Sequence, residues 1–259
     1  MFEEISASFY KHMKIMSRRP TEMADLVVHP FIGLLSLGIL VYFVISQGGP
    51  VNSMMFVFVG VVAWNFYELT QRSMTYAIAF DMWSASLKHS FSTTSKIRHF
   101  IIGNAFFGLC TSLITFFLVG AVGIIAFGFN IFAGGIFLVN LISVFFFALF
   151  AGLFIDSFLV SKGEKHQALI WTMAGIVMVF SGVYYPTSIL PSPLGEISWF
   201  LPTTHAIASM RAGFGFSPET GATEFALGFS LSIIYLAIGY FLFKRGLEKG
   251  YKNGIITQY

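Results

Sequence analysis

The chain has 259 residues, 56% of them hydrophobic and only 10% charged, with a net charge of +3. A soluble globular domain carries about 25% charged residues, so this composition excludes a water-soluble body and points to an integral membrane protein. A single cysteine, Cys110, excludes an internal disulfide, and its apolar surroundings read as those of a small core residue.

Phe2, Ile5, Phe9, Met13 and Met16 recur at three- and four-residue spacing, while Lys11, Lys14 and Arg18 lie elsewhere on the wheel. This predicts an amphipathic interfacial helix over residues 1–20, lying in the headgroup plane. Pro20 then turns the chain toward the membrane. Spanning about 30 Å of hydrocarbon takes roughly 20 helical residues. Six segments qualify: Leu26–Ser46, Met54–Phe80, His99–Phe127, Phe132–Val160, Ala168–Val183 and Phe225–Phe243. Several exceed the minimum, which predicts tilt or extension past the membrane. The fifth is short and runs straight into a proline-rich region. The first is not read as a cleavable signal, because it begins about 25 residues in and no small-x-small site follows it.

Lys and Arg set the orientation. Lys11, Lys14, Arg18 and Arg19 precede the first span. Lys88, Lys96 and Arg98 lie between the second and third, and Lys162 and Lys165 between the fourth and fifth. Lys244, Arg245, Lys249 and Lys252 follow the last. Thirteen of the 15 basic residues therefore fall on one side. The connections Gln47–Ser53 and Gly128–Ala133 have none, and the long stretch Tyr184–Thr223 has only Arg211. The fold expected is all-α with six transmembrane helices and both termini in the cytoplasm.

The second span carries the densest polar stripe. Asn65, Glu68, Arg72 and Thr75 share one helical face, with Gln71 beside it. Glu68 and Arg72 stand at i and i+4 and can pair. Ionisable groups at membrane depth face a bundle interior or an aqueous path, so the pair either lines a pathway or braces two helices. Asp156 reads as a carboxylate at a water-accessible helix end or beside a nearby base. The connection 81–98, DMWSASLKHSFSTTSKIR, sets apolar residues amid polar ones without proline. Either a solvated loop or a short surface helix satisfies it. No G-x-x-x-x-G-K-[ST] occurs, nor any Gly-Lys pair, so no P-loop nucleotide site is expected. H-E-x-x-H, C-x-x-C and G-x-S-x-G are also missing, and the six histidines are scattered. No metal or catalytic site is expected.

Residues 181–211 read SGVYYPTSILPSPLGEISWFLPTTHAIASMR, with Pro186, Pro191, Pro193 and Pro202. Proline breaks helices, yet Ile189, Trp199, Phe200 and Leu201 are interleaved with the breakers. The pattern predicts short re-entrant helices over 184–211, tolerable at membrane depth only where protein or a watery cavity satisfies the backbone.

This run resembles the C-terminal hallmark of ABC-2 type transporter permeases, carried by Gly182, Pro186, Pro191, Pro202 and Arg211. The likeness extends over nearly the whole chain, and is greatest to the compact Nod-factor, daunorubicin and polysaccharide-export subgroup. One departure stands in the second span, where many relatives carry Pro-Gly and this chain has Val59-Gly60. The resemblance implies a permease subunit of the inner or plasma membrane that exports an amphipathic substrate: a lipid-linked glycan, a lipid or a hydrophobic small molecule. It implies a separate ABC ATPase that holds ATP and Mg²⁺, a second permease copy or paralogue, lipid contacts and no nucleic acid. It further implies a coupling helix at about Asp81–Phe91, with Asp81, Met82, Trp83, Leu87 and Phe91 at the ATPase. An ion-coupled secondary transporter or channel is the rival reading, and a membrane-embedded enzyme the third.

Overall fold

The computed structural model describes residues 2–50, 52–92 and 97–258, and all regular structure among them is helical. In chain order these are α1 (Phe2–Ser17), α2 (Pro20–Ser46), α3 (Asn52–Trp83), α4 (Leu87–Ser92), α5 (Ile97–Phe127) and α6 (Gly135–Lys162). There follow α7 (Leu169–Phe180), α8 (Leu194–Trp199), α9 (Pro202–Ala212), α10 (Gly221–Lys252) and α11 (Ile255–Gln258). With helices long and apolar enough to cross a bilayer, the chain is an all-α integral membrane protein.

Among the described residues five helices have that length: α2, α3, α5, α6 and α10. The fifth expected span, Ala168–Val183, falls short. Its helix α7 has 12 residues, about 18 Å at 1.5 Å per residue. At one end, Gln71 Nε2 of α3 donates to Ile170 O at 3.4 Å. At the other, Gly60 of α3 abuts Val183 O. So α7 runs beside only the middle of α3, between Gly60 and Gln71.

α3 is the central strut, buried almost continuously from Phe58 to Met82. Its neighbours cover most of it, leaving Glu68 partly open, which is why it tolerates polar residues. Thr70 Oγ1 meets Ser112 Oγ of α5 at 2.8 Å, and Ser73 Oγ meets Thr111 Oγ1 at 3.2 Å. Such hydroxyl pairs hold membrane helices together. α10 lies along α6, where Gly239, Gly246 and Gly250 bring its backbone against Phe150, Ser157 and Val160.

The bundle has two distinct ends. At the basic end, α1, the last turn of α3, α4, the loop after α6 and α11 come together. At the proline-rich end sit residues 181–220 and the first turns of α3. α1 and α11, the first and last described helices, are both at the basic end.

α1 forms over the predicted residues, but its packed face is rotated from the predicted stripe. His12 and Met16 are buried, whereas Phe2 is 82% exposed and Met13 41%. The cause is α5: Phe9 packs on Phe106 and Phe107, His12 stacks on Phe107 at 4.2 Å, and Gly103 admits Ser8 and Ile5. α1 therefore docks on protein along one side and exposes Phe2, Tyr10 and Met13 on the other.

Candidate functional site

At the basic end, α3 ends in a sharp turn. Ala85 N donates to Met82 O and Ser86 N to Asp81 O, the Schellman arrangement. The turn puts Ala85 at φ +52, a left-handed conformation without a glycine to ease it. The chain then enters α4, a six-residue helix.

Asp81 organises this corner. Its side chain is fully buried, accepting from Lys11 Nζ of α1 at 2.6 Å, from Ser90 Oγ of α4 at 2.6 Å and from Ser86 Oγ at 3.2 Å. Lys11 also donates to Ser90 Oγ. One carboxylate thus ties together α1, α3 and α4. Met82 and Leu87 are buried as well, and Phe91 is half-buried against Phe100 at 5.3 Å. Of the five residues expected at the ATPase, only Trp83 is exposed, its indole N–H donating to Gln167. The others face inward because α4 needs an apolar floor. The surface offered outward is Trp83, Ser84, Ala85, Lys88 and His89. Residues 93–96 of the expected 81–98 segment, Lys96 included, lie outside the described residues.

His12, beside this corner, is held well below the ordinary imidazole range, at about 4, because burial disfavours its charged form; a hydrogen bond with Asn104 opposes the shift in part.

At mid-bundle the four residues of the polar stripe separate. Glu68 and Arg72 approach to 3.8 Å, an ion pair without close hydrogen-bond geometry. Asn65 and Glu68 line an open groove of about 300 Å³ between α2, α3 and α7. Thr75 is buried and turns its hydroxyl to its own helix, donating to Gln71 O and Arg72 O. Helical spacing placed it on the face, but its hydroxyl has a nearer acceptor in the turn behind it. Trp64, Trp171, Tyr184 and His29 complete the groove, and sequence reasoning missed all four. Asn65 Nδ2 is buried without a hydrogen bond among the described residues.

Asp156 differs from expectation. It is fully buried in α6, and neither carboxyl oxygen has a hydrogen-bond partner among the described residues. It lies inside α6, short of its exposed end at Lys162, and among the described residues no basic side chain pairs with it.

At the proline-rich end, Arg211 joins three elements. Its Nε donates to Phe56 O of α3 at 3.1 Å, and its two terminal nitrogens donate to Gly182 O at 2.8 Å and Val183 O at 2.7 Å. The guanidinium lies 3.4 Å from the centre of the Phe56 ring. The carbonyls left open where α7 ends thus find their donor on α9. Gly182 takes φ +65, the turn that aims its carbonyl there. Gly182 and Arg211, separate in sequence, meet. Pro202 is buried and opens α9, a favoured place for a residue without an N–H. Pro186 and Pro191 bracket a short 3-10 turn and are exposed. His205 is fixed on both nitrogens, by Glu224 at 2.7 Å and Trp199 O at 2.6 Å. Ile189, Ile197, Trp199 and Phe200 present apolar surface outward.

Among the described residues no three His, Cys, Asp or Glu side chains gather as metal ligands would. The arrangement is one of surfaces and joints: an outward turn at the basic end, a polar-edged groove, and a capped re-entrant region. Against known families, the model of the ABC-2 type transporter matches residues 3–214. No curated protein matches the chain.

Proposed function

The chain belongs to the ABC-2 type transporter family, and on that premise we propose that it is the permease subunit of an ABC exporter. It is a multi-pass protein of the plasma membrane. Its basic end faces the cytoplasm, as the distribution of Lys and Arg favours, and both termini lie there. The chain crosses six times. α7 and the broken region after it together make the fifth crossing, which α7 is too short to make alone.

A separate ABC ATPase, holding ATP and Mg²⁺, docks on the turn formed by Trp83, Ser84, Ala85, Lys88 and His89. ATP-driven closure pushes α4. Asp81 carries that push into α3 and α1 together, because one buried carboxylate holds all three. The helices then shift as near-rigid bodies. A second permease copy or a paralogue covers the open side of the groove between α2, α3 and α7. Lipids cover the remaining apolar faces.

The groove suits an amphipathic cargo such as a lipid-linked glycan, a lipid or a hydrophobic small molecule. Trp171 and Tyr184 offer flat apolar surface and Glu68 a polar partner along one edge, with the buried Trp64 and Asn65 behind them. The observation that carries the reading is the outward docking turn, braced from behind by Asp81, in a chain with this family match.

The test is co-purification with an ABC ATPase encoded beside this gene, followed by ATP hydrolysis in nanodiscs supplemented with lipid or glycan. Trp83→Ala combined with His89→Glu is expected to weaken ATPase binding by about tenfold or more. Undiminished binding in that variant contradicts the proposal. Flux driven by a proton gradient with no ATPase present also contradicts it, and favours an ion-coupled secondary transporter.

A further inference from the structure

Residues 215–259 lie beyond the family match, yet they touch the docking helix. Tyr251, near the end of α10, donates its hydroxyl to Phe91 O of α4 at 3.0 Å. Terminal carbonyls of a helix have no partner within it, so this bond caps α4 from outside. The chain then turns at Gly254, φ +70, and α11 folds back onto α4 and α6. Ile256 of α11 is buried in the same apolar cluster as Leu87 of α4 and Leu247 of α10. A six-residue helix does not hold itself together in isolation. α4 is held from one side by Lys11 and Asp81, and from the other by Tyr251 and α11.

α10 has 32 residues, about 48 Å at 1.5 Å per residue. Its far end meets the re-entrant helix α9. Gly228 lies so close that an added Cβ would stand 3.1 Å from Pro202 O and from the Cβ of His205. Glu224 pairs with His205 at 2.7 Å. One helix therefore touches the docking helix at the basic end and the capped re-entrant helix at the other.

We infer that the C-terminal segment is a strap: Tyr251 and α11 position the docking helix α4 and tie it to α10, which carries the docking motion to α9. Tyr251 is a positioning residue, acting through α4. The motion rests on the exporter reading above, whereas the strap is a property of the isolated chain, and the two are tested separately.

The first measurement is hydrogen–deuterium exchange on the purified full chain in lipid nanodiscs, without any ATPase. Tyr251→Phe removes only the hydroxyl. Exchange of the α4 amides is expected to quicken by about two- to twelvefold, the range for losing one hydrogen bond, with α3 and α6 unchanged. Ile256→Ala removes the apolar contact independently and is expected to do the same. Unchanged α4 exchange in both variants overturns the strap, and so does a uniform rise over the whole chain, which would mean a role in global stability alone. The second measurement adds the ATPase and ATP. In the wild type, exchange over 202–212 is expected to change on ATP addition, and Tyr251→Phe is expected to lose at least half of that change. An equal response in the variant overturns transmission through α10. Absence of any ATPase binding overturns transmission together with the exporter reading, and leaves the strap to be judged on the isolated chain.

Discussion

Replacing Arg211 with lysine tests how the proline-rich end is held. The guanidinium donates to three carbonyls on two elements, Phe56 O, Gly182 O and Val183 O, and lies over the Phe56 ring. Lysine keeps the charge but is a compact donor on a flexible stem. It cannot span α3 and the end of α7 together. If one bond of the three survives, two are lost, each worth about 1.5–3 kcal/mol for a charged donor. Water returns part of this, because Arg211 borders an open cavity of about 260 Å³. The net cost is about 2–4 kcal/mol. Equilibrium unfolding in mixed micelles reads it, and limited proteolysis between residues 184 and 200 reads the local loosening. Gly60→Ala provides a cross-check. Its Cβ would overlap Val183 O and stand 2.7 Å from an Arg211 nitrogen, so it strains the same joint. The two substitutions together should cost less than their sum, by at least about 0.5 kcal/mol. Arg211→Lys with wild-type stability and wild-type cleavage would refute the reasoning.

Three further outcomes are expected. Ala85→Gly should equal or exceed wild-type stability, while Ala85→Val should lose about 1–2 kcal/mol in the same unfolding measurement, because φ +52 is unfavourable for a β-branched residue. For His12, burial lowers the folded pKa from 6.5 to about 4. Between those values the unfolded state binds the extra proton, so stability is full above pH 6.5 and falls as pH drops toward 4. The loss attributable to this group is about 3 kcal/mol at 1.36 kcal/mol per unit. Unfolding at stepped pH should show that slope, flattened in His12→Phe, which keeps a ring against Phe107. Finally, Glu68→Gln with Arg72→Gln is expected to lower transport and substrate-stimulated ATP hydrolysis. Wild-type rates in the double variant would remove the pair from the pathway.

Much of the fold was legible in the sequence because it rests on local patterns. The helix at the N-terminus, five of the six expected apolar spans and the break in helix between Gly182 and Pro202 follow from spacing and composition. What depends on partners distant in sequence did not follow. Asp81 was expected at the ATPase because the family resemblance implies a coupling helix at about Asp81–Phe91. It is buried instead, because Lys11, 70 residues earlier, reaches across to it. Leu87 faces inward for a similar reason, since α11 and Leu247 form its floor. The length of α7 was overestimated because apolar residues continue past Phe180, while Gly182 and its left-handed turn end the helix. Trp64, Trp171, Tyr184 and His29 come from three elements and the turn beyond α7, so no local spacing links them. The one available signal was that two tryptophans and a histidine fall inside or beside apolar runs. Arg211 stood out in the sequence, but its bonds to Phe56 O of α3 and to Gly182 O and Val183 O beyond α7 became visible only once those elements were placed beside it.

The docking surface, the direction of export and the six crossings all require the basic end of the bundle to face the cytoplasm. Single cysteines at Ser84 and Ser192, in a Cys110→Ser background, test this with a membrane-impermeant maleimide applied to intact cells and then to opened membranes. Position 192 should label in intact cells, and position 84 only after opening. Labelling of position 84 in intact cells, with 192 protected, would contradict the docking surface, the direction of export and the six-crossing topology together.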